Sequence, residues 1–172
     1  MIIDSHVNLH APQFAEDQAE VIDRARAAGV ALMVTICDKV SVFDAVHAIA
    51  MAHSDIWCSV GTHPHEAKEN PSLTAQTLID LAGRGRVVGI GETGLDYYWQ
   101  KDRPAWQRER FRVHIRAARA TALPLDATDA AAVGVRRHVD RVLDAEAVGG
   151  ARTILADVGV TQHAPGAIGG ND

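Results

Sequence analysis

The sequence predicts an α/β fold: a partial, TIM-barrel-like (β/α) barrel, roughly the N-terminal half of one. Short apolar runs alternate along the chain with longer amphipathic stretches, the pattern of βα units around a parallel sheet. The residues with chemistry to offer follow those apolar runs, and a (β/α) barrel builds its active site from the C-terminal ends of its strands. The chain has 172 residues. A closed barrel takes eight strands and typically ~250 residues, so only part of one fits here.

In chain order, Met1 to Asp4 is the first expected strand, and a helix follows from Asp17 to Ala28, stopped by Gly29. Ala31 to Ile36 gives the second strand, Val42 to Ala52 the second helix and Ile56 to Val60 the third strand. The next helix is expected over Leu73 to Leu81, with Ser72 as N-cap and Gly83 just beyond its end. Val87 to Ile90 is the fourth strand, and Pro104, suited to a first turn, opens a helix running to Ala122. A fifth strand begins near Leu123-Pro124-Leu125. Residues 1–125 thus read as the half-barrel and 126–172 as a divergent C-terminal segment, expected to be partly disordered. Within that segment a helix is expected at Ala131 to Ala147 and a strand at Thr153 to Val158, before a Gly-rich tail.

Composition is that of an ordinary globular chain, 47% apolar and 23% charged, with no sign of a fibre or a disordered polymer. The N-terminus lacks the basic and apolar regions of a signal peptide, and no apolar run approaches the ~20 residues of a membrane span. No membrane partner is expected, and the expected location is cytoplasmic. Cys37 and Cys58 each sit in an apolar run and read as buried free thiols. A net charge of −5 repels a nucleic-acid backbone as a whole, so binding to one needs a local basic surface or a metal ion. Arg108, Arg112, Arg116 and Arg119 share one helical flank, and a solvated outer face is preferred there over a phosphate-tracking stripe.

The most informative stretch is Gly89-Ile90-Gly91-Glu92-Thr93-Gly94-Leu95-Asp96-Tyr97-Tyr98. It sets one carboxylate just past an apolar run, among glycines that let the backbone turn sharply and approach what Glu92 holds. His6 ends another apolar run, Ile2-Ile3-Asp4-Ser5-His6, so a metal site built from strand ends is expected. A buried charge at a strand end is costly without a cation. His63 and His65 flank Pro64 in an extended segment, and both can point to the same mouth. Tyr97, Tyr98 and Trp99 follow Glu92 in a loop, where they can stack on a base or pack over the barrel top. His47, His53, His114 and His138 lie in helical patterns and read as surface or helix-packing residues.

These passages together resemble the TatD-type metal-dependent deoxyribonucleases of the amidohydrolase superfamily. Four carry the resemblance, in the family's order: Ile3-Asp4-Ser5-His6, Ser59-Val60-Gly61-Thr62-His63-Pro64-His65, Gly89 to Tyr98, and Gln107 to Pro124. They cover about the first three quarters of the chain, and Gly-Glu-Thr-Gly-Leu-Asp-Tyr is the most specific.

The resemblance implies a hydrolase that cleaves phosphodiester bonds in DNA with divalent metal ions, Mg²⁺, Mn²⁺ or Zn²⁺, two of them in an intact family member. It implies that Glu92 is the bridging, catalytic carboxylate, that His6 is a ligand, and that His63 and His65 contact substrate. Asn8 stands where the family has its second histidine, and its amide oxygen is a weaker ligand than imidazole for Mn²⁺ or Zn²⁺. His10, also evenly spaced from His6, can compensate only if the backbone bends.

After Leu125 the family continues to a metal-binding histidine, whereas here Asp126-Ala127-Thr128-Asp129 follows at once. The chain is therefore expected to be truncated, internally deleted or frame-shifted, and impaired in activity. Two alternatives stand beside that reading: a non-catalytic half-barrel remnant, and an amidohydrolase acting on a small cyclic amide or ester. A half-barrel also leaves Ile3, Val34, Ile36, Cys58 and Val88 facing inward without an opposing wall, so self-association through open edges is expected.

Overall fold

The computed structural model describes residues 2–129 and 153–154. Among the described residues four α-helices alternate with the first five strands, and a sixth strand follows: β1 Ile2–Val7, α1 Gln18–Ala27, β2 Val30–Thr35, α2 Phe43–Ala52, β3 Ile56–Val60, α3 Ala75–Ala82, β4 Val87–Leu95, α4 Ala105–Thr121, β5 Leu125–Asp129 and β6 Thr153–Ile154. Every pairing is parallel, and the strands lie in one sheet in their sequence order. This sequential order is what a barrel makes when each helix returns the chain to the next position, and the described strands form an α/β half-barrel. Among the described residues no helix is long and apolar enough to cross a membrane.

The helix-facing side of the sheet is the core. Met33, Ile56, Cys58 and Ile90 are buried with Phe43 and Val46 of α2, Leu78 of α3, and Phe111 and Ile115 of α4. Both cysteines are buried free thiols, and burial pushes Cys37 up to about 11 and Cys58 up to about 12, so neither is a ready thiolate. The other side of the sheet is less covered. Ile3 is 54% exposed, and Val34 and Val88 are half-buried. Ile36 and Cys58, expected to lack cover, are buried instead.

Several boundaries differ from the sequence reading, each for a local reason. The third helix is capped by Thr74, whose hydroxyl accepts the Thr77 N–H at 3.1 Å, and not by Ser72. The Arg110 guanidinium holds the carbonyls of Pro71, at 2.7 Å, and Leu73, which keeps the segment ahead of Thr74 out of the helix. The fourth strand runs on to Leu95, because Thr93, Gly94 and Leu95 pair with Ala127, Thr128 and Asp129 of β5. The fifth strand, expected to begin near Leu125, passes through Asp126 to Asp129. The expected helix at Ala131 to Ala147, the strand beyond Ile154 and the Gly-rich tail lie outside the described residues.

The arginine flank of α4 is ion-paired on its own surface. Arg112 and Arg116 share Glu109 at 3.5 and 3.1 Å, the arrangement of a solvated outer face. Arg110 differs, being buried and turned inward onto the Pro71–Leu73 segment.

Candidate metal and substrate site

Close backbone packing creates the site. A Cβ at Gly61 would lie 2.5 to 2.7 Å from the backbone of Gly91, and one at Gly91 would lie 2.4 Å from the Asp126 carbonyl oxygen. Only glycine at both positions lets β3, β4 and β5 come this close. Gly91 and Gly94 have positive φ, whereas Gly89 is ordinary strand with a carbonyl 3.7 Å from its would-be Cβ. The turning role expected of three glycines thus falls on two. The Gly91–Glu92 peptide is cis, and the Glu92 N–H crosses to the Cys37 carbonyl at 3.0 Å. Glu92 therefore lies within β4, not past its end.

The Glu92 carboxylate is 8% exposed and stands between two imidazoles. His6 Nε2 is 3.7 Å from Oε2, and His63 Nε2 is 3.8 Å from Oε1. The other His6 nitrogen, Nδ1, faces Asp126 Oδ2 at 3.6 Å. These separations are longer than hydrogen bonds, and among the described residues neither the buried His6 Nδ1 nor the buried Asp126 Oδ2 has a hydrogen-bond partner. Burial, reinforced by the Glu92 charge and opposed by His6, raises the Asp126 carboxyl to about 6.

The His63 ring is set by its neighbours. Its Nδ1 accepts the His65 backbone N–H at 3.1 Å, so neutral His63 carries its proton on Nε2, toward Glu92. Burial lowers its pKa, partly offset by Glu92, Asp96 and Asp38 and reinforced by His65. The segment carrying it is anchored twice: the His63 N–H donates to the Asp38 carbonyl at 2.8 Å, and the Thr62 N–H to His114 Nε2 at 3.0 Å. His65 pairs through Nε2 with Asp96. The buried Asp96 carboxylate also accepts the N–H groups of Tyr98 and Trp99 at 3.0 and 3.1 Å, and its own N–H donates to Gln107 at 3.1 Å.

The expected site residues are brought together unequally. His6, Glu92 and His63 adjoin, and His65 lies edge-on to His63 with ring centroids 4.7 Å apart. Asn8 is exposed just beyond β1, its carbonyl accepting the Ala11 N–H at 3.0 Å. His10, the candidate to compensate for a second histidine, pairs through Nε2 with Asp38 at 3.0 Å. Trp99 and Tyr98 are exposed and meet each other edge to face.

Asp126 and His114 were missed from the sequence. Asp126 was passed over because a histidine was expected a little further on; the available signal was a lone carboxylate following Leu-Pro-Leu in a strand. His114 is fully buried, and its helical setting gave no sign that it reaches the loop of His63.

Among the described residues no three His, Cys, Asp or Glu side chains already stand as a formed metal cage. The pairwise geometry nonetheless suits a cation. Two donors bound at ~2.1 Å to one ion lie at most about 4.2 Å apart, and the 3.7 Å between His6 Nε2 and Glu92 Oε2 is inside that limit. An imidazole with a carboxylate is a donor set that Mn²⁺ and Zn²⁺ accept readily.

The family model for TatD related DNase matches residues 3–147, well past Leu125. The 3'-5' ssDNA/RNA exonuclease TatD of Cronobacter sakazakii is 36% identical over 124 residues, 72% of this chain and 47% of that protein. The uncharacterized metal-dependent hydrolase YabD of Bacillus subtilis is 33% identical over 156 residues, 87% of this chain and 59% of its own length. The crystal structure of YjjV, a TatD homologue from Escherichia coli, superposes with a TM-score of 0.70 at 21% identity, covering 81% of this chain and 55% of that one. The chain spans about half the length of the curated relatives it matches. A family match over most of the sequence, on a fold that brings Glu92 of β4 beside His6 of β1 and His63 after β3, leads to one assignment: the chain belongs to the TatD-related DNase family.

Proposed function

We propose that this chain is a metal-dependent hydrolase of phosphodiester bonds in DNA, with Glu92 and His6 holding the divalent cation. The observation that carries the proposal is the largely buried Glu92 carboxylate of β4, bracketed by His6 at 3.7 Å and His63 at 3.8 Å, an imidazole and carboxylate set able to hold a divalent cation. Relatives described as a metal-dependent hydrolase and as an ssDNA/RNA exonuclease support the reaction class.

When bound, the ion supplies Lewis acidity toward phosphoryl oxygen and a nucleophile at neutral pH. His6 Nε2 and the Glu92 carboxylate are the donors, and the Asn8 amide is a further, weaker oxygen donor. Glu92 spans the distance between His6 and His63, so it can also take a proton during attack. His63 offers Nε2–H to a phosphate oxygen. His65, held by Asp96, presents its ring at the mouth of the same site. Of Mg²⁺, Mn²⁺ and Zn²⁺, Mg²⁺ suits an imidazole donor least.

Activity of the 172-residue chain is expected to be low, since Asn8 replaces an imidazole and the described donors are few. A labelled single-stranded oligonucleotide incubated with Mn²⁺ tests this. Slow cleavage, abolished by a chelator and by His6→Ala, is the expected result. Mn²⁺ binding with no cleavage would favour the non-catalytic reading, and Asn8→His alone is not expected to restore full rates.

We also propose that the protein acts in the cytoplasm, in keeping with its two free buried thiols, and that it self-associates through β1. Among the described residues β1 is paired on one side only, and Ile2 and Ile3 on it are 55% and 54% exposed.

A further inference from the structure

The His6 ring lies between two carboxylates, and its two nitrogens point to different ones. Nε2 is 3.7 Å from Glu92 and Nδ1 is 3.6 Å from Asp126. An imidazole cannot turn both nitrogens to one ion, so a cation shared with Glu92 takes Nε2 and leaves Nδ1 to carry the proton. We infer that Asp126 is the positioning carboxylate of His6: it accepts the Nδ1 proton and so fixes which nitrogen, and which ring orientation, is offered beside Glu92. The inference rests on the metal-site reading above.

Three further observations support it. Among the described residues His6 Nδ1 and Asp126 Oδ2 are both buried and otherwise without a hydrogen-bond partner, so each suits what the other supplies. The Asp126 backbone cannot drift away from the site, because it is packed against Gly91 so tightly that a Cβ there would stand 2.7 Å from Asp126 Cβ. The Ile90 N–H, at 2.9 Å from the Pro124 carbonyl, locks the start of β5 to β4 as well. Direct ligation by Asp126 to the same ion is disfavoured by position, since the imidazole ring lies between its Oδ2 and the Glu92 carboxylate. Carboxylates placed behind metal-binding histidines have this function in general: they set the tautomer and raise the basicity of the ligating nitrogen.

The test uses the full chain with Asp126→Ala and Asp126→Asn, both checked for native circular dichroism. Asparagine keeps a carbonyl that accepts the Nδ1 proton; alanine does not. Nitrogen NMR of the metal-free protein should show His6 protonated on Nδ1 in the native chain and in Asp126→Asn, and on Nε2 in Asp126→Ala. Mn²⁺ calorimetry should show a loss of affinity of roughly 10- to 100-fold in Asp126→Ala, with most of it recovered in Asp126→Asn. An unchanged tautomer in Asp126→Ala overturns the inference, even if affinity falls, because Asp126 would then act as a ligand or by charge alone. If the native chain binds no Mn²⁺, the metal-site reading fails, and the tautomer comparison still decides the role of Asp126.

Discussion

Gly61 and Gly91 form a very tight backbone contact of the site, and they show how little of a site's geometry resides in its polar residues. Gly61→Ala would drive a methyl to within 2.5 Å of the Gly91 backbone, which has no flexible end to move aside. Chemical denaturation should show a loss of about 1–3 kcal/mol, typical of overpacking. Gly89→Ala meets a carbonyl at 3.7 Å and the Ser59 Cβ at 4.0 Å, both ordinary contacts, and should stay within about 1 kcal/mol of native, although the sequence presents the two glycines alike. His6 and Glu92 were legible because a histidine or a carboxylate ending an apolar run is anomalous. Asp126 was not, because its function depends on a strand register, Ile90 opposite Leu125 and Thr93 opposite Ala127, that no local pattern encodes.

At the scale of elements, α4 does more than cover the sheet. Its His114 donates Nδ1–H to the Arg110 carbonyl at 2.9 Å and accepts the Thr62 N–H, which requires the neutral ring. Burial, aided by the Arg110 charge, lowers its pKa to about 4, against an ordinary value of 6.5. Between those two pH values the unfolded chain binds a proton that the folded chain refuses, so stability falls as pH drops from 6.5 toward 4 and this contribution levels off below. The slope from this group approaches about 1.4 kcal/mol per pH unit. Asp126, raised to about 6, contributes with the opposite sign in that window, so the test is a difference: thermal unfolding of His114→Gln, which keeps an acceptor for Thr62, should lose less stability between pH 6.5 and 4 than the native chain does. The alternation of strands and helices was readable from periodicity alone. The cap at Thr74 and the full length of β4 were not, because the Arg110 contacts and the pairing with β5 set them from elsewhere in the chain.

At the scale of the molecule, the parallel sheet in sequential order presents a well-buried helix side and a thinly covered opposite side. Ile2 and Ile3 are exposed on a strand that, among the described residues, has one neighbour. Light scattering should therefore detect association that grows with concentration, and Ile3→Lys should reduce it; a monomer unchanged by concentration or by the substitution would refute that proposal. The fold class was open to sequence reading because spacing and length suffice for it, whereas completeness of the ligand set depends on contacts between distant strands. The central claim is that Glu92 and His6 together form a divalent-cation site. Isothermal titration of Mn²⁺ into the native chain and into Glu92→Gln tests it most directly: a saturable heat in the native protein, absent from the variant, is the expected result, and equal heats in the two would contradict it.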